Sequence, residues 1–336
     1  MTQNDFKPNE LTPQTKASMK TRIIASLIGL AIIIPLIFLG DWFTLVLAMF
    51  LLVVGVIEIV NTAKKDYSVL LYVISIIAAI LITVWPAIVS LIDQIHGGNV
   101  SFHIFDYFGG IALSTPALIV GISLLFLTVV LHSSFTVRDA CFLIAMVLVI
   151  ALGIQCILYI RYLPSILNKT PREGFFNLFD TLESSTLIIY VLIGAFVTDI
   201  GAYFTGILWG KRKINERISP KKTYAGFVGG LLCSAIVSSA FAFILDAVGH
   251  PILVGYLDVP HWWSIVILSL FMPIMATLGD FVFSAIKRSY DIKDFGKLIP
   301  GHGGILDRLD SLIFTFFAAG GYLFVYIAFD TGTTLL

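Results

Sequence analysis

The chain has 336 residues, 58% of them hydrophobic and only 12% charged, with 21 basic residues balancing 21 acidic ones. A mean hydropathy of +0.97 leaves too few polar side chains to cover a water-soluble globule. A net charge of zero argues against a nucleic-acid partner.

The polar first stretch, 1–20, carries Lys7, Lys16 and Lys20 and reads as a disordered cytoplasmic tail. The apolar run 22–40 is long enough to span a bilayer and is followed by no convincing small-residue cleavage site, so it reads as a first membrane helix rather than a signal peptide. Runs of spanning length recur at 42–60, 67–91, 110–132, 138–160, 185–209, 224–247, 262–289 and 307–329. The expected fold class is therefore all-α, a polytopic integral membrane bundle of nine helices. It divides into N-terminal transmembrane helices over 21–184 and a catalytic transmembrane region over 185–336. Cys141, Cys156 and Cys233 each lie in an apolar run, and an odd three supports neither a disulfide framework nor a zinc site.

With the N-terminus in the cytoplasm, 18 of the 21 basic residues fall on the inner face. The positive-inside rule selects that orientation and puts the C-terminus on the opposite face. The exceptions are Arg161, Lys169 and Arg172, expected in an outer loop over 161–184 with Glu173, Asp180 and Glu183. No internal repeat is visible, which weakens a transporter built from two inverted halves.

Three acids interrupt the apolar runs, where an unpaired charge costs about 2.5 kcal/mol or more. Glu58, near the inner end of the second run, reads as a carboxylate that snorkels or pairs with a lysine. Asp199 opens DIGAYFTG, whose Gly201, Ala202 and Gly206 let helices approach closely, and reads either as a helix-packing contact or as part of a site. Asp280 lies about 27 Å along its helix from Trp262, an expected outer-interface anchor, and so belongs near the cytoplasmic boundary. There Asp280, Ser284 and Arg288 recur every four residues, with Lys287 three beyond Ser284, so a helix gathers them on one side.

Gly296, Pro300, Gly301, Gly303 and Gly304 should end that helix and let backbone amides approach an anion. A new helix is expected near Leu306, with Asp307 and Asp310 on one face. An ordinary charged loop at the cytoplasmic surface would also collect cations. Carboxylates mixed with Lys and Arg, however, suit a divalent ion bridging protein acids to phosphate oxygens. A second basic segment, 210–222, carries Lys211, Arg212, Lys213, Arg217, Lys221 and Lys222 against Glu216. Charge alone would also suit attraction to anionic lipid. No GxxxxGK[ST] phosphate loop is present.

The segment from Ser284 through Lys287, Arg288, Lys293, Asp294, Gly296, Pro300, His302, Gly303, Gly304, Asp307 and Arg308 to Asp310 matches the signature of the phosphatidate cytidylyltransferases at every specified position. Ser219-Pro220-Lys221-Lys222-Thr223 with Gly226, Gly229 and Gly230, preceded by Asp199-x-Gly-Ala-Tyr-Phe, is similar to a second motif of that family. The resemblance is close from Asp199 to Asp310 and extends to the N-terminal half only as hydrophobic helices. It implies transfer of the cytidylyl group of CTP to phosphatidic acid, in a helical bundle of the bacterial inner membrane that is often dimeric. The polar cleft should open to the cytoplasm and laterally to membrane lipids. It also implies Mg²⁺ with a neighbouring K⁺ near Asp280, Ser284 and Asp307.

On that reading Asp280 and Asp307 hold metal, Asp310 does so directly or from behind them, and Lys287, Arg288 and Arg308 hold phosphates. Ser219, Lys221, Lys222, Thr223, Ser284, Lys293, Gly303 and Gly304 bind substrate, while His302 either contacts phosphate or serves the turn. A CTP-dependent polyprenol kinase and an ion or solute transporter are the competing readings. The full signature disfavours the first, and the placement of the acids toward one face disfavours the second.

Overall fold

The computed structural model describes residues 24, 28–29, 31–39, 41–63, 67–84, 88, 110–131, 135–167, 178–301 and 303–330. The expected 1–20 tail, Lys64 and Lys65, and Lys169, Arg172 and Glu173 lie outside the described residues. Among the described residues, helical turns at 31–38 are followed by α1 (Asp41–Thr62), α2 (Val69–Thr83), α3 (Gly110–Leu131), α4 (Val137–Leu167) and α5 (Leu178–Trp209). A hairpin of β1 (Lys213–Asn215) and β2 (Ser219–Thr223) leads into α6 (Tyr224–Ala247), α7 (Trp262–Ser289) and α8 (Leu306–Asp330). Helices α1 and α4 to α8 are each long and apolar enough to cross a membrane. The 15 residues of α2 reach about 22 Å, short of a hydrocarbon layer of about 30 Å. The molecule is a polytopic helical membrane protein.

Helix α8 packs against α7, α4 and α5. Leu309, Ile313, Phe316, Leu323 and Ile327 are buried along it at spacings of three, four and seven, the period that keeps one stripe facing its neighbours. Lipid tails are as apolar as leucine, so close van der Waals packing has to hold such helices together, and small residues permit it. A Cβ on Gly153 of α4 would lie 2.7 Å from Ile313 Cγ2 of α8. Between α5 and α6 the approach is backbone to backbone: a Cβ on Gly201 would lie 2.8 Å from Cys233 Cβ, and one on Gly230 would lie 2.7 Å from the Thr198 carbonyl oxygen.

Two expectations need correction. Helix α4 does not stop at 160 but runs through Arg161 and Pro164 to Leu167, and α5 starts at Leu178, so Arg161, Asp180 and Glu183 belong to helices and not to an outer loop. The Arg161 side chain is fully buried and donates to Ser185 Oγ at 3.1 Å, while Ser185 donates to the Ile37 carbonyl at 3.0 Å. A cation buried inside the bundle looks, in a hydropathy profile, like the end of a span. The second correction is the hairpin, a small antiparallel element in an otherwise helical chain. Its turn forms because Asn215 Oδ1 accepts the backbone N–H groups of Arg217 and Ile218 at 3.1 and 3.3 Å, the Asx geometry that competes with helix.

At the opposite end of α6 and α7, Asp258 organises the connection. It accepts the Gly255 N–H at 2.6 Å and the His261 N–H at 3.2 Å, and pairs with His261 Nδ1 at 2.6 Å.

Candidate active site

The C-terminal turns of α7 carry Asp280, Ser284, Lys287 and Arg288 on one side, as their spacing requires. The helix ends before the first glycine of the signature, at Asp291, whose φ of 49° is left-handed. The Ile292 N–H reaches back to the Lys287 carbonyl at 3.0 Å and the Asp291 N–H to that of Arg288 at 3.3 Å, the paired bonds of a Schellman ending. Asp tolerates this conformation better than most side chains, and the last residue of α7 is Ser289, where the sequence placed the end of the apolar run, ahead of the glycines from Gly296 on. Tyr290 stacks on Phe142 of α4 at 4.6 Å. Burial, reinforced by nearby Asp139, pushes its hydroxyl above the ordinary tyrosine value.

The chain then turns twice more before α8. The Ile299 N–H donates to the Gly303 carbonyl at 2.9 Å, with Gly301 at φ 76° and Gly303 at φ 90°, where a Cβ would be strained. His302, between them, lies outside the described residues. Pro300 and Gly301 form the exposed tip of the turn.

Asp307, in the first turn of α8, has a side chain only 4% exposed. Its Oδ2 accepts the N–H groups of Phe295 and Gly304 at 2.8 and 2.9 Å. Its Oδ1 accepts from Lys287 Nζ at 2.9 Å. Lys287 also lies 3.9 Å from Asp310 Oδ2 and 5.4 Å from the centre of the Phe295 ring, so α7 and α8 are joined through one ammonium. Asp310 Oδ1 accepts the Ser311 N–H at 2.9 Å.

Glu58 departs most from expectation. It does not snorkel and, among the described residues, pairs with no lysine; it is buried, with Oε1 accepting the Ile305 N–H at 2.9 Å and Oε2 the Leu306 N–H at 2.8 Å. Amides at a helix start have no intrahelical acceptor, and the helix dipole favours a carboxylate there. Four amides of the signature segment, those of Phe295, Gly304, Ile305 and Leu306, therefore face carboxylates of the protein. Of the glycine amides expected to approach a substrate anion, that of Gly304 is occupied by a carboxylate of the protein. The one signal for Glu58 in the sequence was a charge inside an apolar run.

The hairpin closes the other side. Lys222 forms an ion pair with Asp280 and lies over the Phe281 ring at 4.5 Å, and Arg288 Nε donates to the Ile218 carbonyl at 3.4 Å. Asp199 of α5 lies within Coulombic reach of Asp280, Lys222 and Arg308, and Asp310 within reach of Asp280 and Asp199. Asp199, Asp280, Asp307 and Asp310 thus form one cluster with Lys222, Lys287 and Arg308. Of the other expected substrate residues, Lys221, Lys293 and Arg308 are exposed, and Ser219 and Ser284 are half-buried. Thr223 is buried and caps α6, its hydroxyl accepting the Gly226 N–H at 3.1 Å.

A carboxylate offers about four acceptor sites. Asp307 uses three, whereas Asp280 and Asp310 keep capacity beyond their ammonium partners. Among the described residues no three His, Cys, Asp or Glu side chains close on a common metal position. Such a set fits Mg²⁺ in its usual form, held by one or two carboxylates and completed by phosphate oxygens.

A bundle of membrane helices with a mixed carboxylate and ammonium cluster at one end belongs to the class of membrane proteins suited to handling phosphates at the bilayer boundary. Residues 20–327 match the model of the Cytidylyltransferase family, and the chain belongs to that family. It is 30% identical over 297 residues to a phosphatidate cytidylyltransferase of Staphylococcus haemolyticus, covering 88% of this chain and 95% of the relative. Proteins of the same description from Staphylococcus aureus and Staphylococcus epidermidis are each 28% identical over 303 residues, with the same shares covered.

Proposed function

We propose that this protein transfers the cytidylyl group of CTP to phosphatidic acid, forming CDP-diacylglycerol and releasing pyrophosphate. The observation that carries the reading is the joining of the two motif segments. Lys222 of the hairpin pairs with Asp280, and Lys287, seven residues along α7, holds Asp307 of α8. Ammonium and carboxylate groups from both segments therefore meet at one place. In the reaction an oxygen of the lipid phosphate attacks the α-phosphorus of CTP. The new P–O bond forms as the bond from the α-phosphorus to the bridging oxygen of the β-phosphate breaks, and that electron pair leaves with pyrophosphate. A phosphate monoester is already largely ionised at neutral pH, so catalysis is positioning and charge neutralisation and needs no strong general base.

Lys222, Lys287, Arg288 and Arg308 would neutralise the triphosphate and the lipid phosphate, with Arg suited to bidentate contacts. Asp280 and Asp310, with the remaining site of Asp307 and the hydroxyl of Ser284, would hold Mg²⁺. When bound, the ion supplies positive charge against the phosphate oxygens. The K⁺ implied by the family resemblance is carried as part of the same proposal, as are the dimer and the orientation with the N-terminus and the hairpin in the cytoplasm of a bacterial inner membrane.

The test uses detergent-solubilised protein, phosphatidic acid, Mg²⁺ and K⁺. Label at the α-phosphorus of CTP is expected in lipid, with γ-label released as pyrophosphate. A polyprenol kinase would place γ-label in lipid, and a transporter would place none. Absence of α-label from lipid in folded protein overturns the reading.

A further inference from the structure

Gly296 and Gly304 have φ values outside the left-handed region, unlike Gly301 and Gly303, so backbone conformation does not explain why they lack side chains. Space does. A Cβ on Gly304 would run into Glu58 Oε1, with Cδ and Oε2 both at 2.6 Å, and a Cβ on Gly296 would run into the same Oε1, with Cδ at 2.9 Å and Cγ at 3.2 Å. At both positions the three nearest atoms all belong to Glu58. This carboxylate comes from α1, in the half of the chain where the motif resemblance is only hydrophobic pattern, and it sits between two glycines of the signature.

We propose that Glu58 is a positioning residue, the template on which residues 295–306 close, and that Gly296 and Gly304 are glycines because they form its socket. Each of its oxygens accepts one amide of the α8 start and the side chain is buried, so its part is to hold the first turn of α8. Asp307 follows Leu306 directly, and its bonds to Phe295, Gly304 and Lys287 pass that placement to the ammonium joining α7 and α8. A displacement of reacting groups by about 1 Å costs on the order of 100-fold in rate, so a misplaced α8 should appear in kcat. The inference rests on the cytidylyltransferase reading only for the statement that this segment is catalytic.

The experiment combines Glu58→Gln, Gly304→Ala, Glu58→Ala and the Glu58→Ala/Gly304→Ala pair, with kcat, KM for CTP and thermal midpoint measured for each. Gly304→Ala alone is expected to lower kcat about 100-fold and to lower the midpoint. In the Glu58→Ala background, where the collision is gone, the same change should cost less than about twofold. Glu58→Gln, which presents an NH₂ to one of the two amides, should lower kcat with KM for CTP nearly unchanged, the pattern of a lost transition-state arrangement. A Gly304→Ala protein of normal activity, equal losses in both backgrounds, or a loss confined to KM would overturn the proposal.

Amide exchange at Ile305 and Leu306 supplies a readout independent of turnover and of the Glu58→Ala fold. It should be slow in the unaltered protein and faster in Glu58→Gln. Equal rates would overturn the template role even in a protein that transfers label, and faster exchange would support it even in a protein that does not.

Discussion

Removing the charge of Asp280 and that of Asp307 should have different consequences, because the two carboxylates have different neighbours. Asp280 and its partner Lys222 are each 26% exposed, and ion pairs of that accessibility contribute about 0.2 to 1 kcal/mol. Asp280→Asn is therefore expected to keep its thermal midpoint within a few degrees and to lose at least about 100-fold in label transfer. Asp307 is different: Lys287 is 11% exposed beside it, and breaking a buried pair costs about 3 to 5 kcal/mol. Asp307→Asn should lose both activity and stability, read as turnover per folded molecule together with the unfolding midpoint. An Asp307→Asn protein as stable as its parent would contradict the hydrogen bonds drawn for that side chain, and a fully active Asp280→Asn would remove it from the metal site.

At the scale of elements, the loop joining α6 to α7 makes a separate prediction. Burial alone would raise the Asp258 carboxyl, but the hydrogen bonds from the His261 ring and from the Gly255 and His261 amides outweigh it and hold the group below its ordinary value. A carboxyl lowered in the folded state contributes stability that is full above the unfolded carboxyl's range and is lost as pH falls through the lower folded value. Above the ordinary aspartate range the midpoint difference between the parent and Asp258→Ala should include about 1 kcal/mol of lost capping. It should then shrink as the solution is acidified below the ordinary aspartate range. A difference that grows on acidification would reverse the assignment.

Elements were legible in the sequence where the signal was local. The apolar runs located the helices, the Asp280 to Arg288 spacing located the polar side of α7, and the restart near Leu306 coincides with the start of α8. What escaped was non-local or belonged to backbone atoms. Asn215 makes the hairpin turn through amides two and three residues on, and Asp291 ends α7 in a conformation that periodicity does not encode. The partners of Glu58 are amides about 250 residues away, and an amide has no letter of its own.

Across the whole molecule, the proposed orientation places the hairpin and the signature segment on one side of the bilayer. They are physically joined, since Arg288 Nε reaches the Ile218 carbonyl and Lys222 reaches Asp280, so both must share a compartment. A cysteine replacing Ser219, half-buried at the start of β2, should react with a membrane-impermeant thiol reagent only when the cytoplasmic face is open to it. Labelling in intact cells would place the cluster where CTP is not supplied.

The bonds from Glu58 to Ile305 and Leu306 span 247 and 248 residues of chain, and that separation has a meaning in time. At ribosomal rates of about 5 to 20 residues per second, roughly 10 to 50 seconds pass between the synthesis of the acceptor and that of its donors. Through that interval α1 carries a carboxylate whose partners have not yet been made. The reaction centre is therefore complete only when the last described helix enters the bundle.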